Sequence, residues 1–189
     1  MAQKKNRLFY KESISKFGIS AQGVHWNSKY SQYKRFEILT QFIIDDISDT
    51  SIIDVGCGMG EYYNYLMDEG LEPKTYLGID CEIDMINISK KRYPRTNFIK
   101  QNVLDDELIS ADYYICSGAM NILTIDEFYI FIKKCYEKSE KGYIFNFLKN
   151  DSYNKIKKEE VLGFCKKLTP NISIKDNYLE NDFSVFISK

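Results

Sequence analysis

The sequence predicts an α/β protein built on a doubly wound, mostly parallel sheet, and three observations carry that expectation. A short apolar run, Ile52-Ile53-Asp54-Val55, leads straight into the glycine-rich stretch Gly56-Cys57-Gly58-Met59-Gly60 and then into a helical pattern. Strand, tight turn and helix in that order form the first unit of such a sheet. Further apolar runs alternate with helical stretches downstream, as crossover connections between parallel strands require. Finally, 189 residues with 44% hydrophobic and 28% charged content suit one globular domain. Residues 1–189 are therefore assigned to a single domain, with residues 1–30 as a lid-like segment and 31–189 as the core.

Residues 1–30 are polar and aromatic. Phe9, Tyr10, Ile14, Phe17, Val24 and Trp26 are expected to pack a short helix and a turn across the mouth of the sheet. His25, the chain's one histidine, stands beside its one tryptophan, Trp26. An imidazole there is a candidate general base, because it titrates near neutrality. From Tyr30 to Ile47 the residues Tyr33, Phe36, Leu39, Phe42, Ile43 and Ile47 recur at helical spacing and predict a helix covering one sheet face.

The first strand and its turn follow. A helix is read over Glu61–Glu69, closed by Gly70. The turn is not made for a dinucleotide, whose G-x-G-x-x-G pattern needs a third glycine where this chain has Glu61. No Gly-Lys-Ser/Thr follows, which removes a phosphate loop as well. Asp54, just before the turn, suits a ligand with positive charge. Residues 74–80 predict a second strand ending in Asp80, which follows Gly56 by 24 residues. That is close to the ~20 expected for a carboxylate that accepts from ribose hydroxyls.

A helix opens near Glu82, with Ile83, Ile86 and Met85 as its apolar stripe, and Pro94 closes it. Strands are then expected over 96–100 and 111–117, a helix over 125–137, a strand over 142–148 and a helix over 157–168. The alternating segments 172–175 and 183–187, joined through Glu180-Asn181-Asp182, predict a closing antiparallel hairpin.

Asp54-Val55-Gly56-Cys57-Gly58-Met59-Gly60 resembles the first motif of class I S-adenosylmethionine-dependent methyltransferases, an acid followed by G-x-G-x-G. The resemblance implies a Rossmann-like seven-stranded sheet in the order 3-2-1-4-5-7-6, with S-adenosyl-L-methionine as cofactor. It further implies that Asp54, Gly56, Cys57, Gly58 and Gly60 form the cofactor turn and that Asp80 holds the ribose. Asn102 stands where the family usually has an aspartate facing the adenine amine, and its amide oxygen can still accept, with Asp105 the alternative under a shifted register. Val103 follows as the residue whose backbone N–H meets the ring. Ser117, which opens the loop that faces the methyl group, is implied to contact the cofactor. Gly23, Trp26, Gln32, Arg35 and Phe36 resemble the approach to the first strand in one branch of the family, which makes Arg35 a candidate for the cofactor's carboxylate. Asn121 is a candidate for orienting the acceptor.

Composition bounds the partners. A net charge of −1 supplies no global field toward nucleic acid or an anionic membrane. Lys155, Lys157, Lys158, Lys166 and Lys167 are mixed with Glu159 and Glu160, as on a solvated face. The loop after the fourth strand lacks the Asn/Asp-Pro-Pro-aromatic sequence of amino methyltransferases that act on DNA bases. A small-molecule acceptor is expected, with methyl transfer by in-line displacement. No apolar run approaches the ~20 residues of a membrane span. Five cysteines without a C-x-x-C pair, beside one histidine, argue against zinc and fit reduced thiols in the cytoplasm. Two alternatives stand beside this reading. One is a cofactor-binding or partner module without turnover, and the weaker one is an NAD-dependent oxidoreductase.

Overall fold

The structure is a computed structural model that describes residues 28–150 and 152–189. The expectations for residues 1–27 of the lid segment, His25 and Trp26 included, lie outside the described residues, while Lys29 and Tyr30 open the first described helix. Seven strands form one sheet in the order β3-β2-β1-β4-β5-β7-β6. They are β1 (Ser51–Val55), β2 (Thr75–Asp80), β3 (Asn97–Lys100), β4 (Ala111–Ser117), β5 (Ser139–Leu148), β6 (Ile172–Asp176) and β7 (Asp182–Ser188). The first five pair in parallel, and β7 inserts antiparallel between β5 and β6. The expected strand order is the observed one.

Five helices cover the sheet among the described residues: α1 (Lys29–Thr40), α2 (Glu61–Asp68), α3 (Ile83–Arg92), α4 (Ile125–Lys138) and α5 (Lys158–Leu168). None is long and apolar enough to cross a membrane. Because side chains alternate along a strand, each strand feeds two cores. One face presents Tyr114, Cys116, Phe145, Phe147, Val185 and Ile187 to α4 (Phe128, Ile132, Cys135) and α5 (Val161, Cys165). The other presents Ile52, Tyr113, Ile115 and Ile144 to α1 (Phe36, Leu39) and to α2 and α3 through Tyr62, Leu66 and Ile86.

Two element readings are corrected. The helix expected over 30–47 ends at Thr40. Beyond it Phe42 and Ile43 bond three residues back, to Leu39 and Thr40, so the chain tightens into turns. Ile43 and Ile47 stay buried all the same. In α3 the buried stripe is Met85, Ile86 and Ser89, while Ile83 in the first turn is 39% exposed.

The α1 face of the sheet changes character along its strands. Toward the amino ends of the parallel strands it is apolar, with Ile52, Tyr113, Ile144 and, from antiparallel β7, Phe186. Toward the carboxyl ends the same face carries Asp54, Ser117, Asn146, Ser184 and Asp182, as alternation from those apolar residues requires. Over it α1 buries Gln32, Arg35 and Thr40 among its apolar residues. Polar groups are thus gathered where ligands bind in open α/β sheets, beyond the carboxyl ends of the strands.

Candidate active site

A cavity of about 340 Å³ opens at this end of the sheet. Its lining joins the β1–α2 turn (Asp54 to Met59, Glu61, Tyr62), the end of β2 (Ile79 to Glu82), the stretch Gln101 to Leu104, and Ser117 to Ala119 with Asn121 to Leu123. Gln32, Phe36 and Leu148 close it.

The turn is shaped by its glycines. The N–H groups of Gly56 and Cys57 both donate to the Ile79 carbonyl, at 2.8 and 3.1 Å, which folds the turn back on β2. Gly56 adopts φ +72°, and a Cβ there would lie 2.3 Å from the Ala119 Cβ. At Gly58, φ +53°, an added Cβ would meet no described atom within 4 Å beyond its chain neighbours, and the residue lines the cavity, so a ligand can lie against its backbone. Gly60 is different. It does not line the cavity, and a Cβ there would press on the Tyr93 and Phe98 rings. It serves packing, not the ligand surface.

Asp80 closes the turn from the β2 side. Its carboxylate accepts from the Gly58 N–H at 2.9 Å and the Glu82 N–H at 2.8 Å. Burial raises its pKa to about 6 despite those donors. Asp54 is buried beneath the turn and accepts from the Tyr76 hydroxyl at 2.6 Å. Burial raises its pKa to about 7, with the nearby Asp80 adding to the rise and the Tyr76 hydroxyl opposing it. Glu61 and Glu82 also line the cavity. Arg92 from α3 pairs with Glu61 and donates to the Met59 carbonyl at 2.8 Å, fixing the start of α2. Sequence reasoning missed Arg92, since no pattern ties position 92 to position 61.

Asn102 and Val103 line the cavity, with Val103 buried. The Asn102 amide oxygen accepts from the Leu104 N–H at 3.1 Å, and its Nδ2 donates to Asp105 at 2.5 Å. Its side chain thus builds the turn that offers the 102–104 backbone to the cavity. Cys57 lies buried within the turn, and burial pushes its thiol pKa well up. Ser117 and Asn121 line the opposite wall. There the Asn121 carbonyl accepts from the Tyr153 N–H at 2.9 Å, and the Leu123 carbonyl from Asn154 Nδ2 at 3.1 Å, so the 152–156 segment holds this loop.

Arg35 is placed elsewhere. Its guanidinium makes a buried bidentate pair with Asp182, at 2.5 and 2.8 Å, and it does not line the cavity. The neighbouring Gln32 does line it and is 3% exposed. Its signal was its place in the same helix, three residues before Arg35.

The residues fit S-adenosyl-L-methionine. An open glycine backbone, a carboxylate at the end of β2 and a wall bearing Asp54, Glu61, Asp80 and Glu82 suit a nucleoside with a cationic centre and no phosphates.

Comparison with known proteins agrees. Residues 52–142 match the methyltransferase domain family. Over 88 residues the chain is 28% identical to the 235L protein of Invertebrate iridescent virus 6, named as a methyltransferase. That match takes in 44% of this chain, and the chain spans about a third (33%) of that relative's length. Among solved structures, magnesium protoporphyrin IX methyltransferase from Synechocystis PCC 6803 with bound SAH superposes with a TM-score of 0.69 at 12% identity. The superposition covers 85% of this chain and 84% of that one. The plantazolicin methyltransferase BpumL, in complex with an analogue and SAH, also gives 0.69 at 12% identity, covering 98% and 96%. A TehB-like S-adenosylmethionine-dependent methyltransferase from Corynebacterium glutamicum gives 0.63 at 15%, covering 100% and 99%. Its strand order and glycine turn give the chain the fold that these solved methyltransferases share, and residues 52–142, just under half of the chain, match the methyltransferase domain family.

Proposed function

We propose that the protein is an S-adenosyl-L-methionine-dependent methyltransferase acting on a small-molecule acceptor. The observation that carries this reading is the junction of Gly58 and Asp80, an open backbone turn bonded to an acid at the end of the second strand. Asp80 would hold the ribose hydroxyls, the 56–58 backbone the amino-acid tail, and the 102–104 backbone the adenine edge. Asp54 would contribute negative charge under the cationic centre. The bound cofactor supplies an electrophilic methyl group. The chain's own residues position an acceptor beside it, which is where alignment contributes most to such a displacement. The two structural neighbours with named substrates, a porphyrin and a natural product, support a small-molecule acceptor. Five free cysteines, four of them buried, are in keeping with a cytoplasmic setting.

Titration calorimetry with S-adenosylmethionine, SAH and NAD tests the reading. The first two bind, NAD does not, and Asp80→Ala and Gly58→Val each lose detectable binding while their circular dichroism stays native. Binding retained in either variant, or a preference for NAD, overturns it. Release of SAH from labelled cofactor in the presence of an acceptor separates a transferase from a module that only binds.

A further inference from the structure

The cavity has two halves of different chemistry. Its carboxylates, Asp54, Glu61, Asp80 and Glu82, all belong to the β1 and β2 side. On the β4 and β5 side the described lining is apolar, through Phe36, Ile122, Leu123 and Leu148, with three uncharged polar side chains: Gln32, Ser117 and Asn121. No lysine, arginine or carboxylate among the described residues lines that half.

Its polar groups also share a condition. Ser117 Oγ and Asn121 Oδ1 are buried without a hydrogen-bond partner among the described residues. Asn146 Oδ1, on the strand position paired with Ser117, is in the same state, and Asn146 is 1% exposed. The orientation of Asn146 is dictated by its surroundings. Its Nδ2 donates to Asp182 at 3.2 Å, and Asp182 is itself clamped by Arg35. The amide oxygen therefore faces away from that carboxylate. Buried amide oxygens without donors, and a buried hydroxyl without any partner, are costly unless a ligand pairs with them.

Building on the methyltransferase reading, we infer that the β4–β5 half of the cavity binds an uncharged acceptor on an apolar frame, through an N–H or O–H that donates to Asn121 and Ser117. Asn146, behind Ser117, is a positioning residue. A carboxylate or phosphate finds no cation among the described residues of this half, and a fully apolar molecule leaves its polar groups unpaired.

The test uses the full chain saturated with SAH, with four probes followed by chemical-shift titration: indole, phenol, N-methylindole and benzoate. Indole and phenol bind, N-methylindole binds about five- to tenfold more weakly than indole, and benzoate weakest of all. Asn121→Ala and Ser117→Ala each remove most of the advantage of indole over N-methylindole, and Asn121→Ala does so while leaving SAH affinity unchanged. Two variants guard against a single one that misfolds. Equal binding of indole and N-methylindole, preference for benzoate, or no probe binding overturns the inference. Which donor predominates, nitrogen or oxygen, is read from indole against phenol. If SAH itself fails to bind, the methyltransferase reading falls; if SAH binds and the probes show no preference, only the acceptor inference falls.

Discussion

Asp54 and Asp80 are carboxylates held in a partly desolvated site where their charged forms are disfavoured, with pKa values of about 7 and about 6. An acid whose folded-state pKa lies above its unfolded value keeps a proton that the unfolded chain gives up. The ligand-free protein is therefore expected to lose stability as pH rises from about 4 to about 7, and to level off above that. Asp54→Asn keeps an acceptor for the Tyr76 hydroxyl and removes the buried charge. Its melting temperature should exceed the parent's near pH 8, with the gap narrowing near pH 5. A constant gap across that range would refute the assignment. A cationic ligand pulls both acids toward ionisation, so affinity for S-adenosylmethionine should climb through about pH 6–7 and bind with proton release. At this scale the sequence was eloquent about backbone and less so about side chains. The G-x-G-x-G spacing located the turn and the distance to Asp80 located its partner, because both follow from local geometry. Gly60 was assigned to the ligand but packs against Tyr93 and Phe98, a contact set by residues more than thirty positions away.

Helix α4 begins immediately after the loop that lines the acceptor half. Thr124 caps it with a reciprocal box, accepting from the Glu127 N–H while Glu127 accepts from the Thr124 N–H at 2.9 Å. Thr124→Ala should cost about 1 kcal/mol, seen as a fall of roughly 2–4 °C in melting temperature. Because the cap fixes the exit of the 117–123 loop, the variant should also weaken acceptor binding more than SAH binding. Equal weakening of both would show that the cap serves stability alone. The elements themselves were readable wherever a period was clean, as in β4 and α4. The reading failed at α1, where polar Gln32, Arg35 and Thr40 share the buried face and the chain turns at Thr40. Apolar periodicity continues past that point, since Ile43 and Ile47 stay buried in turns, and periodicity alone cannot tell a turn from a helix.

Across the whole molecule, the Arg35–Asp182 pair joins the first described helix to the last strand, 147 residues apart. No local pattern announces such a partner, which is why the resemblance pointed Arg35 toward the cofactor. Breaking a buried bidentate pair takes from each residue the counter-charge it holds, so Arg35→Ala or Asp182→Ala should each cost about 3–5 kcal/mol. The double variant should cost less than the sum of the two, by denaturant unfolding. Strict additivity would show that the two residues act independently. The same pair lies behind Asn146, so both single variants should also disturb the acceptor half before the cofactor half. The order of the sheet adds a consequence in time. β7 is synthesised after β6, yet it occupies an interior slot between β5 and β6. Until residues 182–188 leave the ribosome, β5 presents a bare hydrogen-bonding edge and β6 has nothing to join, so a nascent chain stalled before that point is exposed to edge-to-edge association.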